Sequence, residues 1–126
     1  MAVLLRVPEV EDPDFTAEMS YADGAVLRLT GSADRASTRA LADMVSALHD
    51  ELCRRGTRVL VIDLYDVDYM AAPCFRQLLA WVDKVQELDR EQQYKIRLRG
   101  NPSLAWQAHG LAALACFDTE LISVEA

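Results

Sequence analysis

No run of apolar residues in this chain approaches the eighteen or so that a membrane span requires, so no spanning segment is expected. The opening MAVLLRVPEVED is too short, and turns acidic too soon, for a secretory signal, which leaves the cytoplasm as the expected location. Cysteine is scarce: Cys53, Cys74 and Cys116 are an odd number with no paired spacing, which fits reduced thiols and excludes a zinc or redox motif. No metal and no cofactor is implied. Basic residues are outnumbered thirteen to twenty, and a formal charge of −7 repels phosphate backbones, so nucleic acid is not an expected partner. Low-complexity and disordered classes are excluded too, because 52% of the residues are apolar and 26% charged. What remains is one domain of 126 residues, long enough to bury roughly two thirds of its unfolded surface without disulfides or metal.

The pattern of apolar residues orders that domain. Ala2 to Val7 reads as a short strand or arm ended by Pro8, so residues 1–13 are set apart from the rest. Phe15 to Tyr21 alternates, an Ala-Asp-Gly turn follows, and Ala25 to Leu29 resumes strand character, which predicts a hairpin. Leu41, Met44, Val45, Leu48 and Leu52 recur at helical spacing, and Arg54, Arg55 and Gly56 supply a favourable helix C-terminus. Val59 to Ile62 is a buried strand, broken at an acidic turn through Asp63, Asp66 and Asp68, after which Pro73 opens a second helix striped with Phe75, Leu78, Leu79, Val82 and Val85. Tyr94, Ile96 and Leu98 alternate with Lys95, Arg97 and Arg99, the mark of a strand with one buried and one wet face. Asn101-Pro102 caps a third helix that runs to about Cys116, and Glu120 to Val124 closes the chain as an edge strand. The layout is α/β: a mixed, mostly parallel sheet of four to five strands, an N-terminal hairpin and three main helices. In such sheets the loops at the carboxyl ends of the strands present the working surface, which points to residues 63–75.

The order and spacing of these segments resemble the STAS domain, shared by anti-sigma factor antagonists and sulfate-transporter tails. Leu29-Thr30-Gly31-Ser32-Ala33-Asp34 is similar to the family's Gly-x-Leu-Asp before its first helix, and Val61-Ile62-Asp63-Leu64 with Val67, Tyr69 and Met70 resembles its central strand and loop. Phe117 lies where the family often has an aromatic. In signalling members the loop ends in Asp-Ser-Ser-Gly, whose first serine a partner kinase phosphorylates. Here the matching residues are Ala71-Ala72-Pro73-Cys74, and residues 70–76 contain no serine or threonine, so Ala72 stands where the phosphoacceptor would be and cannot take a phosphate. A serine there would cap the helix and hold a phosphate at the positive end of its dipole. Its loss should cost about 1 kcal/mol, offset in part by Pro73 at the first helical position.

The resemblance implies a noncatalytic protein-interaction module of cytoplasmic signalling. Its partner would be an anti-sigma factor that doubles as a serine kinase, or a scaffold complex, and a homodimer stays open. The alternative it also implies is a small-ligand or lipid-binding accessory subunit of a transport system. The candidate partner-binding residues are Asp34, Tyr65, Asp68, Tyr69, Met70, Ala71, Ala72, Pro73, Cys74 and Phe75. Several have plainer readings. Cys74 is either a small buried residue or a thiol activated by the helix dipole. Asp63, Asp66 and Asp68 lack the glycine and distal glutamate of a calcium loop and read as a solvated turn. Asp34 is a turn former or a contact residue, and Tyr65 and Tyr69 are interface anchors or core. Lys95, Arg97 and Arg99 make a basic strip, most simply the wet face of a strand.

Overall fold

The computed structural model describes residues 15–22 and 24–125. The expected strand at Ala2 to Val7 lies outside the described residues. Five strands form one sheet in the order β1-β2-β3-β4-β5, with β1 (Phe15–Ser20) antiparallel to β2 (Ala25–Ala33), and β3 (Val59–Met70), β4 (Lys95–Arg99) and β5 (Ile122–Glu125) parallel to it. Helices α1 (Thr38–Arg54), α2 (Ala72–Gln86) and α3 (Ala105–Phe117) are the three crossovers. Because consecutive parallel strands are sheet neighbours in one direction throughout, right-handed crossovers put all three helices on the same side. The burial pattern agrees. Leu27, Leu29, Leu60, Ile62, Ile96 and Leu98 join residues of all three helices in one core, while Arg28, Lys95, Arg97 and Arg99 on the other face of the same strands are exposed.

The open face carries a charged row across the whole sheet. Glu18, Arg28, Asp63, Arg99 and Glu125 are successive cross-strand partners and alternate in sign. Arg99 reaches Asp63 at 3.7 Å and Glu125 at 3.5 Å, and Arg28 bonds Asp66 at 2.9 Å. Exposed pairs of this kind are worth at most about 1 kcal/mol each, but like charges set opposite one another would be unfavourable, so the row favours this register over its neighbours.

Helix α1 ends as its sequence predicts. Gly56 takes a φ of 66°, Thr57 N–H bonds Leu52 O and Gly56 N–H bonds Cys53 O, the two closing bonds of a left-handed glycine cap. Buried against this helix is a polar chain. Trp81 Nε1–H donates to Tyr94 Oη at 2.7 Å, which leaves the phenolic proton for His49 Nδ1 at 2.6 Å, so the His49 proton sits on Nε2, facing Cys53 Sγ at 3.8 Å. Trp81 and Tyr94 are fully buried and His49 nearly so.

Three expectations are corrected. The acidic stretch is not a turn that ends the strand: β3 continues through Asp63, Asp66 and Asp68 to Met70, paired with β2, which itself runs on to Ala33. The strand was hidden by two irregularities. Between Arg28↔Asp63 and Thr30↔Asp66, and again between Gly31↔Val67 and Ser32↔Tyr69, β3 contains one more residue than β2. The buried residues of β3 therefore pass from alternation (Leu60, Ile62, Leu64) to every third position (Val67, Met70), which no period-2 search recognises as a strand. Helix α2 begins at Ala72, with Ala71 at the cap, so Pro73 holds its second position rather than its first. Asn101 does not cap α3 either. It closes a turn through Ser103 N–H and Leu104 N–H, and the helix starts after Leu104.

Candidate functional site

At the carboxyl end of the parallel strands, the ends of β2 and β3 meet the starts of α1 and α2. Ala71 N–H bonds Ala33 O at 2.7 Å, so the two strands stay joined to the point where α2 begins. Just beyond, Asp34 Oδ1 accepts Ala36 N–H at 2.9 Å and caps a 3-10 turn (Arg35–Ser37) that leads into α1. The aspartate is exposed, so capping leaves part of the carboxylate facing solvent.

Cys74 ties the two entrances together. Its thiol donates to Asp34 O at 3.0 Å and lies 3.5 Å from Thr38 Oγ1, with no exposed surface. Burial pushes the thiol pKa up, and the hydrogen bond to Thr38 pulls it back only in part. The dipole-activated thiol expected as one reading is thus not what this environment makes. Cys74 is protonated and held.

The remaining candidates divide by exposure. Tyr65 and Tyr69 are 49% and 53% exposed, Asp68 and Ala72 are also exposed, and Pro73 and Phe75 are half-buried. Met70 and Ala71 are buried with Cys74 and face the core, so they shape the surface without contributing much to it. The periodic break in β3 explains the aspartates instead: strict alternation from Leu60, Ile62 and Leu64 would have buried Asp66 and Asp68 and exposed Val67, whereas the two extra residues leave both aspartates exposed beside Tyr65 and Tyr69 and bury Val67. Ala71, at the cap of α2, makes no side-chain hydrogen bond to the first turn of the helix. Asp63, Asp66 and Asp68 form no metal cage: among the described residues no group of three His, Cys, Asp or Glu could hold an ion.

Three residues hold this surface in place, and the sequence points to none of them for that role, Asn101 being expected only as a helix cap. Beyond Asp63, β3 has no strand on its β4 side among the described residues, because β4 ends at Arg99 and pairs only as far as Asp63. The start of α3 takes the place of that strand. Gln107, 2% exposed, donates Nε2–H to Leu64 O at 2.6 Å and Val67 O at 3.1 Å, while its Oε1 accepts Asn101 N–H at 2.7 Å. Trp106 Nε1–H adds a bond to Val67 O at 3.2 Å, and Asn101 Nδ2–H one to Tyr65 O at 3.2 Å. The one signal was a Trp-Gln pair in a helix whose other residues are, apart from His109, apolar or small.

Comparison with known proteins gives a consistent answer. A family model described as "Mlab, STAS domain" matches residues 18–118. The chain is similar in structure to an anti-sigma factor antagonist from Mycobacterium paratuberculosis, at 20% identity and a TM-score of 0.64, over 90% of this chain and 87% of that one. No curated protein matches the chain in sequence. Among the described residues no helix is long and apolar enough to cross a membrane. With a family model matched over most of its length, and the sheet order and crossovers described above, the chain belongs to the STAS domain family.

Proposed function

We propose that the protein is a noncatalytic docking module of cytoplasmic signalling, whose partner binds the end of the sheet formed by Asp34, Tyr65, Asp68, Tyr69, Ala72, Pro73 and Phe75. The observation that carries this reading is the pair of half-exposed tyrosines, Tyr65 and Tyr69, on a strand end clamped by Asn101, Trp106 and Gln107. Rigid aromatic side chains lose little entropy on contact, and such anchors dominate the energetics of protein interfaces. The first turn of α2 offers no hydroxyl, so that turn keeps the charge an unphosphorylated relative would present there. A partner of the anti-sigma factor type reads it as permanently unphosphorylated, and the protein acts as a constitutive antagonist or scaffold component.

The test is co-purification from the native cell, with partners identified by mass spectrometry and then titrated by calorimetry. Tyr69→Ala and Ala72→Arg should each weaken binding at least tenfold, a loss of about 1.4 kcal/mol or more, while leaving the thermal midpoint near that of the parent. Full-strength binding by both variants sinks the proposed surface. Incorporation of phosphate within residues 70–76 by a co-purified kinase would sink the constitutive reading.

A further inference from the structure

At the other end of the sheet order no strand among the described residues lies beyond β5, and a groove lies beside it. In the parallel β4–β5 ladder Ile96 N–H bonds Leu121 O and Gly100 N–H bonds Glu125 O. Alternation then turns Leu121, Ser123 and Glu125 toward β4 and the main chain of Val124 outward, where its N–H and C=O meet no partner among the described residues. Val124 is 44% exposed, although its side chain lies on the core face of the sheet, in register with the buried Leu98. The reason is that the core layer extends past the last strand. Helix α3 overhangs β5, and the two enclose a cavity of about 270 Å³ lined by Pro102, Ala108, Leu111, Ala112 and Val124, with Gln107 and Glu125 at its margins.

Helix α3 is built as if this side were covered. Residues 105–117 contain no Asp, Glu, Lys or Arg, and apolar and small side chains occur all round it. A helix apolar on every face belongs against other protein, yet Ala108 and Ala112 are exposed at the groove. We infer that the edge of β5 and the overhang of α3 form a second docking site, occupied by an extended segment of a partner polypeptide that adds as a sixth strand. The outward N–H and C=O of Val124 are matched by another main chain, and the cavity receives the side chains that point down from alternate positions of that strand. The open face chooses the charge. Glu18, Arg28, Asp63, Arg99 and Glu125 alternate in sign from strand to strand across it, so an added strand carries Lys or Arg beside Glu125 on the open face and apolar residues on the groove side.

The probe is a synthetic capped hexapeptide, Arg-Val-Thr-Val-Arg-Val, titrated into isotope-labelled protein and followed by amide chemical shifts. Saturable shifts at Gly100, Ala108 to Ala112 and Leu121 to Glu125, with residues 65–75 unmoved, are expected. Val124→Pro removes the outward donor and leaves the bonds to β4 intact, so it should weaken the peptide at least tenfold. Ala112→Glu places a charge on the groove wall from a helical position that tolerates it, and should do the same while preserving the melting transition. An absence of saturable shifts, shifts centred on residues 65–75, or unchanged affinity in both variants overturns the site. A dimer in sedimentation of the protein alone, dissolved by Val124→Pro, overturns the choice of occupant in favour of a second copy.

Discussion

A Gln107→Leu chain is expected to unfold at markedly lower denaturant, with a loss of about 3 kcal/mol at an unchanged slope. Leucine matches the volume closely, so the effect comes from hydrogen bonding rather than from a cavity. The substitution leaves Leu64 C=O without its bond in a buried site and Asn101 N–H without its bond in a half-buried one, and weakens the bonding of Val67 C=O, which keeps Trp106. Each orphaned group costs about 1 to 3 kcal/mol, and part of this is recovered by the apolar surface that leucine buries. The loss should also be local. Amide exchange at Leu64 to Met70 should accelerate more than at Leu60 to Ile62, because the first half of β3 is held on both sides by strands and the second half on one side by α3 alone. Equal acceleration along the strand would remove the clamp from the account of how Tyr65 and Tyr69 are presented.

Tyr94→Phe is expected to cost about 2 kcal/mol by the same measurement, since it keeps the ring and strands both Trp81 Nε1–H and His49 Nδ1. The network also predicts how stability depends on pH. Burial lowers the pKa of His49 below its usual 6.5, nearby Lys84 lowers it further, and Asp50 and Glu87 oppose this only in part. The folded chain therefore binds the His49 proton less readily than the unfolded chain. Its contribution is complete above about pH 6.5 and declines as the pH falls through that value toward the lower folded pKa, at up to about 1.4 kcal/mol per pH unit. Glu51 and Asp118 have pKa values lowered by Arg54 and Gln86 respectively, so their contributions are lost only at more acidic pH. Between pH 7 and 5 the denaturation midpoint should thus fall in the parent and fall less in His49→Gln. A parallel decline in both chains would show that His49 is not the group responsible.

The two halves of β3 show what could be read in advance. Val59 to Ile62 is flanked by strands on both sides and alternates, so its state is written in its own residues. From Leu64 onward the strand carries two extra residues and borrows its second neighbour from a helix, and the same local rules read it as an acidic turn. The Cys74 thiol was open for a related reason: a helix N-terminus lowers a thiol pKa and burial raises it, and only the packing of Asp34 and Thr38 around Sγ shows which prevails.

The sequence by itself determined the order of elements, the hairpin, the amphipathic α1 and α2, the α/β class, and the absence of a hydroxyl at the start of α2. These follow from periodicity, turn chemistry and composition, which act within a few residues. The tertiary structure alone decided that β3 continues through the acidic stretch, with Asp66 and Asp68 exposed beside Tyr65 and Tyr69 and with Val67, Met70, Ala71 and Cys74 buried, that Gln107 serves as the missing neighbour of β3, and that β5 is the last strand of the sheet among the described residues, beneath α3. Each of these depends on a partner distant along the chain, 43 residues between Gln107 and Leu64, and hydrogen-bond satisfaction across that distance leaves no periodic trace in the residues that make it.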